Sequence, residues 1–126
     1  MIQSENLTVA ADEKLYDICM IDRLCRGNQE LVKKMVAVFI KEIPNAIEEI
    51  KKAYSNKDFV TVKKTTHRIK PTLSYYAIIK IEKDIRSIEV LAKQGLAVPE
   101  LELKITRVEN VLDAVVERLK SDFLYN

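Results

Sequence analysis

The chain has 126 residues, of which 48% are hydrophobic and 32% charged, a composition typical of one globular domain and not of a disordered or membrane-spanning chain. Its 21 Lys and Arg residues stand against 19 Asp and Glu residues, so it lacks the concentrated basic surplus that general nucleic-acid binding requires. The sequence has no apolar run long enough to span a bilayer and no signal-peptide pattern at its start, so we expect a cytoplasmic protein without membrane contact.

The two cysteines, Cys19 and Cys25, lie six residues apart, and no Cys-x-x-Cys pair occurs. This spacing predicts neither a zinc site nor a disulfide framework, and free cysteines commonly pack as small apolar side chains. We therefore expect this chain to bind no metal ion and no cofactor.

The pattern indicates one helical domain, because strong helix formers dominate and only two glycines and three prolines are available for turns. Residues 1–11 have the pattern of a loose lead-in, and residues 12–126 form the predicted domain. Asp12 is placed to cap a short helix that runs to about Leu24.

A long second helix is predicted from Asn28 to about Ser55, after a break at Gly27. Pro44 should bend this helix, because proline cannot donate the backbone hydrogen bond to the carbonyl four residues earlier. The apolar stripe continues on both sides of the proline, which favours one bent helix over two. Its predicted members are Leu31, Met35, Val38, Phe39, Ala46, Ile50 and Tyr54.

Three further helices complete the predicted domain. Asp58 caps the third, the fourth runs from about Ala77 to a stop at Gly95, and the fifth begins near Pro99. Four long amphipathic helices with short connections predict an all-α fold: an antiparallel up-down-up-down four-helix bundle with a short additional N-terminal helix. The apolar stripe of the third helix is Phe59, Val62, Thr66, Ile69 and Leu73.

The only histidine, His67, lies on the third helix. At 100° per residue it points roughly 125° away from the centre of the apolar stripe, so we expect an exposed side chain. Lys63, Lys64 and Lys70 lie within one turn, where they disfavour the charged imidazolium and would stabilise a phosphoryl group on the ring. The same helix has no carboxylate, serine or second histidine within one turn, which argues against a catalytic triad or a metal site.

Two interpretations of this histidine stay open on the residue pattern alone. A lone histidine among lysines is typical of a solvated helix face. Pro71 favours a functional interpretation, because it removes the N–H group that would bond to the His67 carbonyl and costs about 3 kcal/mol in a helix interior. A helix shaped only by stability would rarely keep it.

The motif His67-x-x-Lys70-Pro71 resembles the His-x-x-Lys-Gly signature of histidine-containing phosphotransfer (HPt) domains. The resemblance covers roughly residues 12–122 and departs from the family pattern where Pro71 replaces the common glycine. Thr72 and Ala77 are smaller departures, at positions where the family often has Ser or Ala and Gly. Other matching positions are Gly27, Asn28, Phe39, Glu42, Pro44 and Asp58.

The resemblance implies a phosphorelay intermediate. His67 would accept a phosphoryl group from the aspartyl phosphate of a receiver domain and pass it to another receiver aspartate, and Lys70 would stabilise the phosphoryl group. The partners would be receiver domains of hybrid histidine kinases and response regulators, with Mg²⁺ on the receiver and a monomeric HPt chain. We expect no kinase activity, because the sequence has no Gly-rich ATP-binding loop.

The resemblance also directs attention to a docking surface. Lysine and arginine side chains around the histidine would complement the acidic mouth of a receiver, and apolar residues of the second helix would add contacts, although at least one of these is expected to pack in the core. The predicted docking residues are Lys63, Lys64, Arg68, Pro71, Ser74, Val36, Ile40 and Ile43.

Two alternatives remain. The chain could be a non-transferring helical adaptor that binds a receiver or kinase domain, which the intact pair of His67 and Lys70 argues against. It could also be a helical interaction domain in which the motif is accidental, which the length of the match argues against.

Overall fold

The computed structural model describes residues 14–124, which are helical with short connections and contain no β-strand. The predicted all-α fold class is confirmed for this range. Within it, no helix combines the length and the apolar character that crossing a membrane requires. The α-helices are α1 (Cys19–Leu24), α2 (Gln29–Ser55), α3 (Phe59–Tyr75), α4 (Glu82–Gln94) and α5 (Pro99–Leu119), with a 3₁₀ turn at Ile79–Ile81 and a π-helical turn at Lys120–Leu124.

The four long helices surround one hydrophobic core. Helix α2 packs on α3, α3 on α4, and α4 on α5, while α5 returns to α2 and α1 lies against α2. Branched aliphatic side chains fill the centre, and each fully buried one contributes about 1.5–3 kcal/mol by leaving water. Examples with no exposed surface are Val36, Val62, Ile81, Leu101, Val115 and Leu119.

Side-chain caps define the helix starts that the sequence predicted. The Asn28 side chain accepts the Leu31 N–H at 3.1 Å at the start of α2, and Asp58 accepts the Thr61 N–H at 3.1 Å at the start of α3. Helix α4 ends where Gly95 adopts a left-handed φ of 72°. These boundaries confirm the predicted start near Asn28, the predicted cap Asp58 and the predicted stop at Gly95.

The N-terminal helix begins later than predicted. Residues 14–18 are not helical. The Asp17 N–H donates to the Tyr76 carbonyl at 2.9 Å, and the Asp17 side chain accepts the Cys19 N–H at 2.8 Å. The first bond joins this segment to the end of α3, and neither bond belongs to a helical turn. The predicted start of the N-terminal helix, just after Asp12, is therefore wrong. The predicted lead-in and the cap Asp12 lie outside the described residues.

The predicted start of the fourth helix at Ala77 is also wrong, because α4 begins at Glu82. Ala77 has a left-handed φ of 51°, which no α-helix can continue through. The Ile78 N–H donates to the Leu73 carbonyl at 3.0 Å and the Ala77 N–H to the Ser74 carbonyl at 2.9 Å. This pair of bonds is a Schellman motif that closes α3.

The buried face of α2 is rotated relative to the prediction. Leu31 and Val38, predicted to be in the core, are 42% and 59% exposed, whereas Val36 and Ile43 are 0% and 2% exposed. The prediction of Val36 and Ile43 as docking contacts is therefore wrong, because almost none of their surface is accessible. Helix α2 carries apolar residues on more than one strip, and the buried strip has the more regular spacing: Val32, Val36, Phe39, Ile43, Ile47 and Ile50.

Candidate functional site

His67 lies near the middle of α3, and its side chain is 70% exposed, which confirms the exposure predicted from helical geometry. Thr66 and Ile69 on either side of it face the core, at 0% and 5% exposed. Their burial fixes the rotation of α3 about its own axis. As a result, the imidazole lies on the flank of α3 that adjoins α4.

A carboxylate from α4 meets two candidate site side chains of α3. Glu89 Oε2 lies 2.7 Å from His67 Nδ1, and Lys70 Nζ donates to Glu89 Oε1 at 2.8 Å. Ile85 and Ile88, at 2% and 1% exposed, hold α4 against the core and leave Glu89 at its margin beside α3. One side chain of α4 therefore joins two residues that lie one turn apart on α3.

Two opposing effects act on the pKa of Glu89. Burial raises the pKa, but the hydrogen bonds with Lys70 and His67, together with the charge of Lys70, lower it and prevail. The pKa of Glu89 therefore lies below its ordinary value of 4.5, and the carboxylate is ionised at neutral pH.

Arg68 lies on the other flank of α3. Its guanidinium is 3.3 Å from Glu49 of α2, and the Thr65 hydroxyl donates to the same carboxylate at 3.1 Å. Arg68 is 59% exposed, so it belongs to the accessible surface. That surface faces the α2 side, whereas His67 faces the α4 side.

A basic cleft opens between the start of α3 and the end of α4, with His67 among its lining residues. Lys63 and Lys64 line it together with Lys57 and Lys93, which the sequence reasoning did not single out. Among residues 14–124, none of these four lysines has a carboxylate oxygen within 4 Å. Asp58 also lines the cleft and interacts electrostatically with Lys64, so the charges of Lys57, Lys63 and Lys93 are the ones most available to an anionic partner.

A second groove, lined mainly by apolar side chains, lies between α2 and α3, with Met35, Val38 and Tyr75 among its lining residues. Val38 and Tyr75 are 59% and 46% exposed. Ile43 contributes only to the floor of this groove, and Ile40 is partly buried against the core. The accessible apolar surface next to α3 is therefore not the one that the sequence predicted.

Pro71 and Ser74 are both exposed on the C-terminal half of α3. Helix α3 continues through Pro71, as α2 does through Pro44, and the bend predicted at Pro44 stays a prediction. Ser74 and Lys70 line a small cleft between α3 and the start of α4. The structure thus places His67, Lys70 and Ser74 on the flank of α3 next to α4.

Glu89 is the site residue that the sequence reasoning missed. A partial signal was present, because Glu89 directly follows Ile88 in the apolar stripe of α4 and so must lie at the edge of the buried face. Selecting it among the charged residues of α4 required the rotation of α4 against α3. That rotation is a property of tertiary packing.

The arrangement is suited to nucleophilic chemistry. It offers an exposed imidazole, an ionised carboxylate on one ring nitrogen and an ammonium one turn away. In the part of the chain that the structure describes, no group of three or more His, Cys, Asp or Glu side chains is placed to hold a metal ion. Comparison with known protein families, with curated proteins and with solved structures gives no match to this chain.

Proposed function

We propose that this chain is a histidine-containing phosphotransfer protein that acts as an intermediate in a phosphorelay. His67 accepts a phosphoryl group from the aspartyl phosphate of one receiver domain and passes it to the aspartate of another. The observation that carries this proposal is the 70% exposed imidazole, held at Nδ1 by Glu89 and next to a cleft with four lysines that have no carboxylate oxygen within 4 Å in residues 14–124.

The proposal includes the arrangement of the helices. Helices α2 to α5 form an antiparallel up-down-up-down bundle, which is supported by the packing of consecutive helices on one another and by the short connections between them. It also includes a monomeric chain in the cytoplasm, where its receiver partners would be, and no kinase activity of its own.

The transfer requires one bond to form and one to break. A lone pair on His67 attacks phosphorus while the bond between phosphorus and the aspartyl oxygen breaks, and the carboxylate leaves. Mg²⁺ on the receiver neutralises the phosphoryl oxygens during this in-line step. The bundle contributes an oriented imidazole and the ammonium of Lys70.

Two surfaces next to α3 serve for docking. The basic cleft that contains Lys63 and Lys64 complements an acidic receiver mouth and increases the rate of encounter. The groove that contains Met35, Val38 and Tyr75 supplies the apolar contacts. The sequence analysis had predicted these contacts at other residues of α2.

The test incubates the protein with phosphorylated receiver domains and Mg²⁺ and then measures acid-labile, base-stable phosphate on the chain. We expect labelling of the wild type and none of His67→Gln, with circular dichroism to show that the variant folds. Label retained in the variant, or absent from the wild type with every receiver tested, would sink the proposal. A wild type that binds receivers without being labelled would be a non-transferring adaptor.

A further inference from the structure

We propose that the basic cleft between the start of α3 and the end of α4 binds a small anion with several linked phosphate groups, and that the bound anion blocks phosphorylation of His67. Binding of this anion does not depend on the proposed function, whereas its effect on His67 rests on it. The cleft has a volume of about 670 Å³ and is open to solvent at the lysines that line it.

Three parts of the chain supply the positive charges of the cleft. Lys57 lies in the turn between α2 and α3, Lys63 lies on α3, and Lys93 lies in the last turn of α4. Small residues at the end of α4, Ala92 and Gly95, also line the cleft and leave its volume open. The lysines therefore surround a space and do not form a flat row along one helix.

These lysines differ from those at the interfaces between helices. Lys51 Nζ lies 2.8 Å from a Glu109 carboxylate oxygen, and Lys104 Nζ lies 3.1 Å from one of Asp84. The cleft lysines have no such oxygen within 4 Å in residues 14–124, although the whole chain has 19 acidic residues for 21 basic ones. A cleft lined by one sign of charge concentrates ions of the opposite sign, so this local excess attracts an anion.

One carboxylate does line the cleft, but its oxygens are engaged at the start of α3. Asp58 accepts the Thr61 N–H at 3.1 Å through one oxygen and the Thr61 hydroxyl at 2.7 Å through the other. Its charge also interacts with Lys64. The other three lysines of the cleft are left for an external anion.

The length of the cleft favours linked phosphates over a single phosphate ion. Phe59 and His67 both line it and lie eight residues apart, which is about 12 Å along an α-helix. A single phosphate ion meets the lysines at one part of such a span, whereas linked phosphates meet the lysines of α3 and α4 together. Lysine binds phosphate as a point charge on a flexible stem, which suits a flexible phosphate chain.

His67 connects the cleft to the proposed reaction. Its imidazole lines the cleft and is 70% exposed. A polyanion held by the lysines places negative charge beside the ring, where it repels an incoming phosphoryl donor. It also occupies the lysines that would attract an acidic receiver domain. The occupied cleft therefore slows the labelling of His67.

The first measurement is calorimetric titration of the full chain with tripolyphosphate, ATP and orthophosphate, without Mg²⁺ and at one low ionic strength. We expect tripolyphosphate to bind at least about tenfold more tightly than orthophosphate, because it contacts more ammonium groups. ATP distinguishes the two sources of linked phosphates. A lower Kd for ATP identifies a nucleotide as the ligand, and an equal or higher one identifies the inorganic chain.

Paired variants locate the bound anion. The double variant Lys57→Gln and Lys93→Gln should raise the Kd for tripolyphosphate at least about tenfold, because two charge-assisted contacts are lost. The matched control, Lys34→Gln and Lys41→Gln, removes two positive charges from exposed positions of α2 that do not line the cleft. It should keep the wild-type Kd. Equal weakening in the two double variants, or tripolyphosphate binding no more tightly than orthophosphate, would overturn the site.

The second measurement is the labelling rate with phosphoramidate, a small donor that needs no partner protein. Its phosphoryl group moves to an imidazole nitrogen of His67 as the P–N bond breaks and ammonia leaves. At about ten times its Kd, tripolyphosphate leaves roughly a tenth of the wild-type chains free, so labelling should be about tenfold slower. At the same concentration the variant of Lys57 and Lys93 should be slowed only about twofold relative to its own rate without tripolyphosphate.

The outcomes separate this inference from the proposed function. Binding without any slowing of labelling would overturn the block of His67. If phosphorylated receivers label the wild type but tripolyphosphate does not bind, the site is overturned and the phosphorelay proposal stands. If tripolyphosphate binds and receivers never label the wild type, the proposed function fails and the site stands. Should the variant of Lys57 and Lys93 fail to fold, the wild-type NMR shift changes on binding decide, because they must centre on the cleft residues and on His67, the only histidine.

Discussion

Two carboxylates on α4 hold two basic partners each, but on opposite sides of the helix. Asp84, with its side chain 7% exposed, binds Lys104 at 3.1 Å and Arg107 at 2.7 Å, both on α5. Glu89, five residues later, instead binds His67 and Lys70 of α3. In both cases a carboxylate of α4 binds two basic side chains of a neighbouring helix, α5 for Asp84 and α3 for Glu89.

The difference lies in the partners. Lysine and arginine stay positively charged near neutral pH, so the Asp84 cluster is a fixed ion-pair clamp between α4 and α5. An imidazole can be neutral, charged or covalently modified, and that of His67 is largely exposed. One cluster is thus suited to stability and the other to reaction, and this distinction can be tested.

The largest expected effect is on stability when the buried clamp is broken. Asp84→Asn removes the shared anion of Lys104 and Arg107, which are 30% and 56% exposed and can be hydrated, so we expect the free energy of unfolding to fall by about 2 kcal/mol. Glu89→Gln should lower the free energy of unfolding by less than about 1 kcal/mol, because its partner His67 is largely exposed. Urea denaturation of both variants measures this, and phosphoramidate labelling of Asp84→Asn should match the wild type. Equal losses of stability in the two variants would contradict the distinction.

A second prediction concerns the core side of α3, directly behind His67. The hydroxyl of Thr66 is buried and has no hydrogen-bond partner in residues 14–124, whereas the adjacent Thr65 hydroxyl bonds to Glu49. Thr66→Val should raise the free energy of unfolding by about 1 kcal/mol, because it removes an unsatisfied polar group. Thr65→Val, the matched control, should lower it by about 1 kcal/mol. The reverse order in thermal or urea unfolding would show that Thr66 does have a partner.

The third prediction concerns the turn that sets how α4 lies against α3. Ala77 has a left-handed φ of 51°, which a residue with a Cβ adopts only at a cost. Ala77→Gly should therefore stabilise the chain by about 1 kcal/mol without changing the labelling rate of His67. Ala114→Gly, the same substitution at an exposed position inside α5, should destabilise it by about 1 kcal/mol. Loss of stability in both variants would contradict the strain at Ala77.

The smallest expected effect is the acid dependence of stability. The folded state lowers the pKa of Glu89 below its ordinary value of 4.5, so the contribution of this carboxylate is complete above that pH and is lost as acid protonates it. We expect the stability difference between wild type and Glu89→Gln, less than about 1 kcal/mol, to shrink below pH 4.5. A difference that grows in acid, measured by urea denaturation at several pH values, would show that the pKa is raised and not lowered.

The sequence predicted those parts of the fold that depend on local chemistry. The helix start near Asn28, the cap Asp58, the stop at Gly95 and the exposure of His67 follow from side chains and periodicity within a few residues. The turn at Ala77 gave no comparable signal, because alanine is a strong helix former, whereas Ala77 adopts a left-handed φ where α3 ends.

The rest of the site depends on how helices meet. Helix α2 has apolar residues on adjacent strips, so periodicity alone did not decide that Val36 is buried and Val38 exposed. Glu89 reaches His67 across 22 residues of sequence only because α4 packs on α3 with one rotation and one register. Neither property is encoded in a short window of sequence.

The ring of helix contacts has a consequence for how the chain folds and opens. Three of the four interfaces between long helices join consecutive helices, and only the seam between α2 and α5 joins distant parts of the sequence. Mostly local contacts favour rapid folding, because little chain entropy is lost before each interface forms. We expect the seam, which includes the ion pair of Lys51 and Glu109, to close last and to open first in native-state hydrogen exchange. The packed pair of α3 and α4 would then keep His67 and Glu89 together even in molecules whose seam is open.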